Sequence, residues 1–227
     1  MAANHDSSDT LFRTDGLSYH IAGEEHGEAM ARLLAASFVH EPMSRALGLT
    51  ACELHEFASR FIPECTANLL SVVAISELFP DQLAGVSINR DFKAPLPPGV
   101  PDDFPRFEPV IDVLLSVDEQ YEAQVADPQR GQVFHLWMGG VDRRFSRQGV
   151  AGNLFRLSAR IAHDHAFERC VAECTGYFSQ RAALDAGFQE RACVAYKDFL
   201  FEGSPIFAAI PEPHLKVGLY ERVLVAR

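Results

Sequence analysis

Residues 143–155, RRFSRQGVAGNLF, gather three arginines and two glycines in a chain whose formal net charge is −11. The stretch follows the apolar run VFHLWMGGV and leads into Val150, Leu154, Leu157 and Ile161, a helical spacing. Gly149, Ala151 and Gly152 have little or no side chain, so a ligand can approach their backbone closely. The first N–H groups of a helix lack intrahelical partners, and the helix start carries partial positive charge. Such a junction holds pyrophosphate, with Arg144 and Arg147 adding charge-assisted bonds and Gln148, Val150 and Asn153 completing the contact stretch. The alternative is a tight turn with solvated arginines. A P-loop is excluded because no Gly-Lys-Ser/Thr follows, and a GxGxxG turn because only Gly149 and Gly152 are present.

Other reactive residue types give weaker patterns. His163 and His165 are two apart on a helix and face different ways, so they do not share a metal. His135 lies inside an apolar strand, either as a satisfied core histidine or lining a cleft. Under regular pairing Trp137 takes the strand face opposite Phe134 and Met138 and belongs to the core. The cysteines are Cys52, Cys65, Cys170, Cys174 and Cys193, an odd number without a metal-ligand rhythm. Cys170 and Cys174 share a strand face but stand about 13 Å apart, too far for one metal. Reduced, structural thiols imply a cytoplasmic protein and no metal. Ser179 suits the N-cap of a short helix that ends at Gly187. Glu41, followed by a proline, reads by itself as an exposed glutamate at a helix end.

These residues need a frame. Residues 17–23 read as a first strand, and Met30, Leu33, Leu34 and Phe38 as a helical stripe. Leu54, Phe57 and Phe61 mark a second helix, and NLLSVVAISE with QLAGVSINRDF a hairpin. The proline-rich segment 93–107 is expected as a surface loop, before a helix through Val110, Val113, Leu114, Val117 and Tyr121. Next comes a βαβ unit with a parallel strand pair: VFHLWMGGV, the basic loop and its helix, then RCVAECT. RACVAYKDFLF and HLKVGLYERVL close the chain as antiparallel strands, the latter a candidate edge for a homodimer. Residues 1–16 are expected as a flexible extension and 17–227 as a single domain. The Gly139–Gly140 pair is expected to bulge and splay its strand from RCVAECT.

The 227 residues suffice for one sizeable core. The acidic balance argues against nucleic-acid binding and is compatible with a cationic substrate such as an amine. No apolar run approaches the ~20 residues of a membrane span.

RRFSRQGVAGNLF resembles the acetyl-CoA pyrophosphate loop of the GNAT N-acetyltransferase superfamily, Arg/Gln-x-x-Gly-x-Gly/Ala. Gly149 and Ala151 fit it; Ser146 stands at the Arg/Gln place, and Arg147 or Arg144, or the backbone donors alone, are expected to take over its part. SQRAALDAGF resembles the following segment, a short helix ending in Gly-Phe. Across nearly the whole chain, HEPMSRALGLTACE, VDEQYE, VDRRFSRQGVAG, SQRAALDAGF and PHLKVGLYERVL are similar to arylalkylamine N-acetyltransferases of the insect dopamine type.

That resemblance implies an α/β GNAT fold, a mixed sheet splayed in the middle with helices on both faces. It implies acetylation of a small primary amine by direct attack of the amine on acetyl-CoA in a ternary complex. Glu41 in HEPM matches the family's catalytic glutamate, and Thr175 and Ser179 its two serines, the first as a hydroxyl swap. Ala183 stands where other superfamily members have a tyrosine, which excludes acid catalysis there. Backbone groups of Met138, Gly139, Gly140 and Val141 are expected to hold the pantetheine arm and thioester carbonyl, with Phe38, Met43 and segment 97–107 walling the amine pocket. Alternatives are a peptide, polyamine or aminoglycoside acceptor, and a non-catalytic acyl-CoA sensor. The resemblance allows a monomer or a homodimer.

Overall fold

The apolar run at 133–141 becomes the strand around which the sheet is organised. The computed structural model describes residues 10–14, 16–100 and 102–224. Its strands are β1 (Thr10–Thr14), β2 (Leu17–Ile21), β3 (Val72–Ser76), β4 (Leu83–Asp91), β5 (Val133–Val141), β6 (Arg169–Cys174), β7 (Gln189–Ala195) and β8 (Lys216–Val223). The helices are α1 (Gly27–Phe38), α2 (Pro42–Leu47), α3 (Ala51–Ala67), α4 (Glu108–Val125), α5 (Val150–Asp164) and α6 (Tyr177–Asp185). One sheet runs in the order β1-β2-β3-β4-β5-β6-β8-β7. Every neighbouring pair is antiparallel except β5–β6, which is parallel and is joined through α5 as expected for the βαβ unit.

Both faces of the sheet are covered. Leu154, Leu157 and Ile161 of α5 pack with Phe134 and Leu136 of β5 on one side. On the other, Met30, Leu34, Phe57 and Phe61 of α1 and α3 pack with Val86, Ile88 and Met138, while Val113 and Val117 of α4 pack with Val133 and Val171. Their enclosure accounts for the unbroken apolar character of β5. Gly85 brings α5 close, since a Cβ there would stand 2.6 Å from Val150 Cγ1. Gly140 does the same for α1, where a Cβ would meet Ser37 Oγ at 2.8 Å.

The sheet opens between β5 and β6. Their pairing covers only Val133↔Arg169, Phe134↔Cys170 and His135↔Val171. Beyond His135, β5 pairs only with β4, and β6 only with β8. The splay is therefore present, but its expected cause is corrected. Gly139 and Gly140 pair regularly with Ser87 and Val86, and the irregularity lies at Trp137, which the register skips between Leu136 and Met138. One extra residue inverts the side-chain alternation. Phe134 and Met138 thus fall on opposite faces despite their even spacing, and Trp137 packs on the same side as Met138.

Three further expectations change. Within the extension expected at 1–16, residues 1–9 lie outside the described residues, but Thr10–Thr14 is a strand on β2, with Phe12 against Tyr19. The strand ending the chain is not an edge: β8 lies between β6 and β7, so a dimer through its edge is excluded. Segment 93–107 is not merely a surface loop. Phe104 and Phe107 are buried, with Phe107 stacked on Phe57 at 4.3 Å, and Arg60 bonds Asp103 at 2.8 Å.

Candidate active site

A cavity of about 370 Å³ fills the opening of the splay. Its walls are mostly apolar: Phe38, Met43, Phe57, Phe107, Ile111 and Leu114 on one side, and Ala151, Leu154 and Phe155 of α5 on the other. Met138, Gly139, Gly140 and Val141 line it along β5, and Glu173, Cys174 and Thr175 along β6. All residues expected as pocket wall or pantetheine seat therefore meet in one space, except that of segment 97–107 only Phe107 contributes.

Glu41 reaches this space because two short-range signals place it. It is the N-cap of α2, with extended backbone before Pro42, and its carboxylate accepts the Met43 N–H at 3.1 Å. α1 ends three residues earlier and is drawn onto β5 at Gly140, where the Ser37 hydroxyl donates to the Val141 carbonyl at 3.4 Å. Thr175, at the end of β6, donates its hydroxyl to the other Glu41 oxygen across 134 residues of sequence. Burial pushes the Glu41 carboxyl up to about 7, against the lowering effect of the Thr175 and Met43 hydrogen bonds. A carboxyl poised there accepts a proton near neutral pH. Gly176 keeps the site open, since a Cβ on it would stand 3.5 Å from Glu41 Oε1 and 3.3 Å from His214 Nδ1. Tyr196 supports Thr175 from behind, donating its hydroxyl to the Thr175 carbonyl at 2.5 Å.

Ser179 lines the same cavity but bonds elsewhere. Its hydroxyl donates to the Gly176 carbonyl at 2.8 Å and accepts the Gly176 N–H at 3.3 Å. The N-cap of α6 is thus Gly176, not Ser179, which stands at the third helical position and reaches back as in a capping box. Gly187 ends the helix as expected, with φ +86° and Phe188 N–H on the Ala183 carbonyl at 3.0 Å.

The basic loop meets α5 at the other end of the cavity. Gly149 caps the helix at φ 77°, and Arg147 before it is also left-handed at φ 63°. The first intrahelical bond is Asn153 N–H to the Gly149 carbonyl at 3.0 Å, which leaves the Val150, Ala151 and Gly152 N–H groups without an intrahelical partner. Asn153 is spent in the core, its amide donating to Tyr19 Oη at 3.0 Å. The two candidate arginines differ. Arg144 is tied to Asp142 at 3.0 and 2.6 Å and to Gln82 at 2.7 Å. Arg147 is exposed, and its side chain makes no ion pair with any described residue. Free helix-start donors beside an uncommitted arginine fit a diphosphate, and the unpaired inner edges of β5 and β6 fit an extended amide-bearing arm.

A second buried carboxylate was not anticipated. Glu173 is the acidic residue within the mostly apolar run RCVAECT, and that position was the available signal. Its side chain is 3% exposed and sits 2.5 Å from His135 Nε2. Asp118 of α4 completes the group: burial and the Glu173 charge raise its pKa, so it keeps its proton and donates to Glu173. Burial holds His135 neutral. Among the described residues no set of three His, Cys, Asp or Glu side chains is arranged to hold a metal. No helix of the described residues is long and apolar enough to cross a membrane.

The splayed sheet with one parallel pair, a helix starting at the open seam and a cavity in the opening is the GNAT acyltransferase fold. Among solved structures, arylalkylamine N-acetyltransferase 2 from Aedes aegypti is similar at TM-score 0.75 and 21% identity, over 92% of this chain and 99% of that one. The C-terminal condensation domain of Ebony, in complex with β-alanyl-dopamine, is similar at TM-score 0.74 and 16% identity, over 92% and 99%. The polyamine N-acetyltransferase of Drosophila melanogaster, which forms N-acetylagmatine, is similar at TM-score 0.69 and 17% identity, over 92% and 100%. At these identities the likeness establishes a shared fold. No protein-family model matches the chain.

Proposed function

We propose that this protein transfers the acetyl group of acetyl-CoA to a small primary amine, with an arylalkylamine as the best-fitting acceptor. The observation that carries the reading is the Glu41–Thr175 pair, a carboxyl with pKa near 7 inside an aromatic-walled cavity at the open seam of the sheet.

Acetyl-CoA supplies the acetyl group as a thioester. The Val150, Ala151 and Gly152 N–H groups and Arg147 hold its diphosphate, with Gln148 and Gly149 in the same turn. The unpaired β5 edge from Met138 to Val141 takes the pantetheine arm and offers N–H donors to the thioester oxygen. An ammonium has no lone pair, so Glu41 removes a proton, and Thr175 holds the carboxylate in place. The amine nitrogen then bonds the carbonyl carbon, the carbon–sulfur bond breaks, and the nitrogen's surplus proton goes to the sulfur. Ser179 lies on the same wall, but its hydroxyl is bonded to Gly176, so the transfer does not depend on it. Cys174 also lines the cavity, but burial raises its thiol pKa well above the ordinary value, which favours direct transfer over an acyl-cysteine route. The enclosed, apolar walls favour a small aryl amine over a peptide.

Thiol release from acetyl-CoA in the presence of phenethylamine, cadaverine or a lysine-containing peptide tests this. Release with phenethylamine above the other two is expected. Binding of acetyl-CoA without release by any amine would overturn it and leave an acyl-CoA sensor.

A further inference from the structure

Backbone pairing between β5 and β6 stops at His135↔Val171, yet the two strands must part at a fixed point and by a fixed amount. The side chains just at the fork bridge it. His135 is the last paired residue of β5, and Glu173 stands two residues past its partner on β6, with a 2.5 Å bond between them. Asp118 braces Glu173 from α4. Trp137, the bulged residue and a wall of the cavity, packs edge-on against the His135 ring at 5.3 Å.

We propose that the His135–Glu173–Asp118 cluster is a clasp at the fork of the splay that replaces backbone pairing and sets the separation of β5 and β6. On this view the three are positioning residues. Glu173 also lines the cavity, whereas His135 and Asp118 do not, and the three act through Trp137 to Val141 on one side and Cys174 and Thr175 on the other. Glu173 accepts from both neighbours, from His135 Nε2–H and from the protonated Asp118. Other charges also reach the cluster: Arg90 and Asp91 act on His135 from β4, and Glu122 acts on Asp118 within α4. Glu173 makes no ion pair with an arginine or lysine among the described residues. A buried carboxylate without a cation is costly for a purely structural contact, which an apolar pair would serve as well.

The role rests on the reading of the opening as the acyl-donor seat, so its test includes a readout that needs no donor. In the ligand-free protein, His135→Phe, which keeps ring volume beside Trp137, and Glu173→Ala should both raise amide exchange at residues 136–141 and 172–175. Both should weaken acetyl-CoA binding about tenfold by calorimetry, and lower kcat with a good amine by a similar factor. Glu173→Gln can accept from His135 and donate to an ionised Asp118, so it should restore binding to within about twofold. Val117→Ala, a core deletion on α4 outside the clasp, should lower the melting temperature without changing affinity. If Glu173→Ala does not fold, His135→Phe decides. Unchanged exchange at the fork and unchanged acetyl-CoA affinity in a folded clasp variant would overturn the proposal. Faster exchange at the fork in a protein that never binds acetyl-CoA would uphold the clasp and reject the donor seat instead.

Discussion

The two ends of the cavity are built differently. At the proposed diphosphate end everything is local: Arg147, Gly149 and the free N–H groups of Val150, Ala151 and Gly152 come from six consecutive residues. At the proposed acceptor end the pair is Glu41 and Thr175, 134 residues apart, brought together by a helix cap, the close approach of α1 at Gly140 and the end of β6. Apart from Arg147, the first end uses backbone donors, which only a substitution to proline deletes. The second depends on side chains in an enclosed space, where one atom change alters the chemistry.

That contrast orders the expected effects. Glu41→Gln removes the base while keeping the Met43 cap contact possible, and should lower kcat by roughly 10²- to 10⁴-fold with little change in acetyl-CoA affinity. Arg147→Ala should weaken acetyl-CoA binding by about tenfold, one charge-assisted contact, without moving the pH profile. Arg144→Ala should change affinity far less, because its guanidinium is already committed to Asp142 and Gln82; titration calorimetry on both variants separates them. If Arg144→Ala proves the more damaging, the diphosphate end is organised by the Asp142 turn instead.

Thr175→Val should displace the pH dependence. The Thr175 hydroxyl stabilises the ionised Glu41, so its loss raises the carboxyl pKa further and moves the acid limb of kcat/KM above pH 7. Ser179→Ala should have the smallest effect on turnover. It deletes both bonds to Gly176 and should cost about 1 kcal/mol of stability in denaturant titration. A large loss of turnover at unchanged stability would give Ser179 a proton-transfer role instead.

The same local/non-local divide governs what was legible in the residues. The βαβ unit, the helix start at Val150 and the Gly187 stop are short-range patterns, and they stand where expected. α2 was missed although its signals are present: an N-capping Glu41, Pro42 in the first turn and Gly48 at φ 63°. Six residues are too few for an apolar period to show. β1 was hidden because an alternation of five residues beside charged neighbours resembles a loose terminus. The bulge at Trp137 cannot be seen in composition at all, since a glycine pair nearby is the more conspicuous candidate. The proposed clasp is half visible: His135 reads as a buried histidine, but its partners come from β6 and α4 and exist only in the folded chain. Among residues implied by resemblance, Glu41 and Thr175 are bonded to each other, whereas Ser179 is bonded to its own helix start.

Glu41 also leaves a mark on stability. An unperturbed glutamate releases its proton near 4.5, whereas the folded chain holds it to about 7. The favourable contribution is therefore complete below about pH 4.5 and is lost as pH rises through 7. Glu41→Gln should lack this share of the decline in melting temperature between pH 5 and 8.

The central claim is that Glu41 is the proton acceptor for an amine substrate, and the kcat/KM profile against pH with phenethylamine tests it most directly. The wild-type protein should lose activity as pH falls through about 7, and Glu41→Gln should show a low rate without that limb. An unchanged rate with an unchanged acid limb in Glu41→Gln would contradict the account.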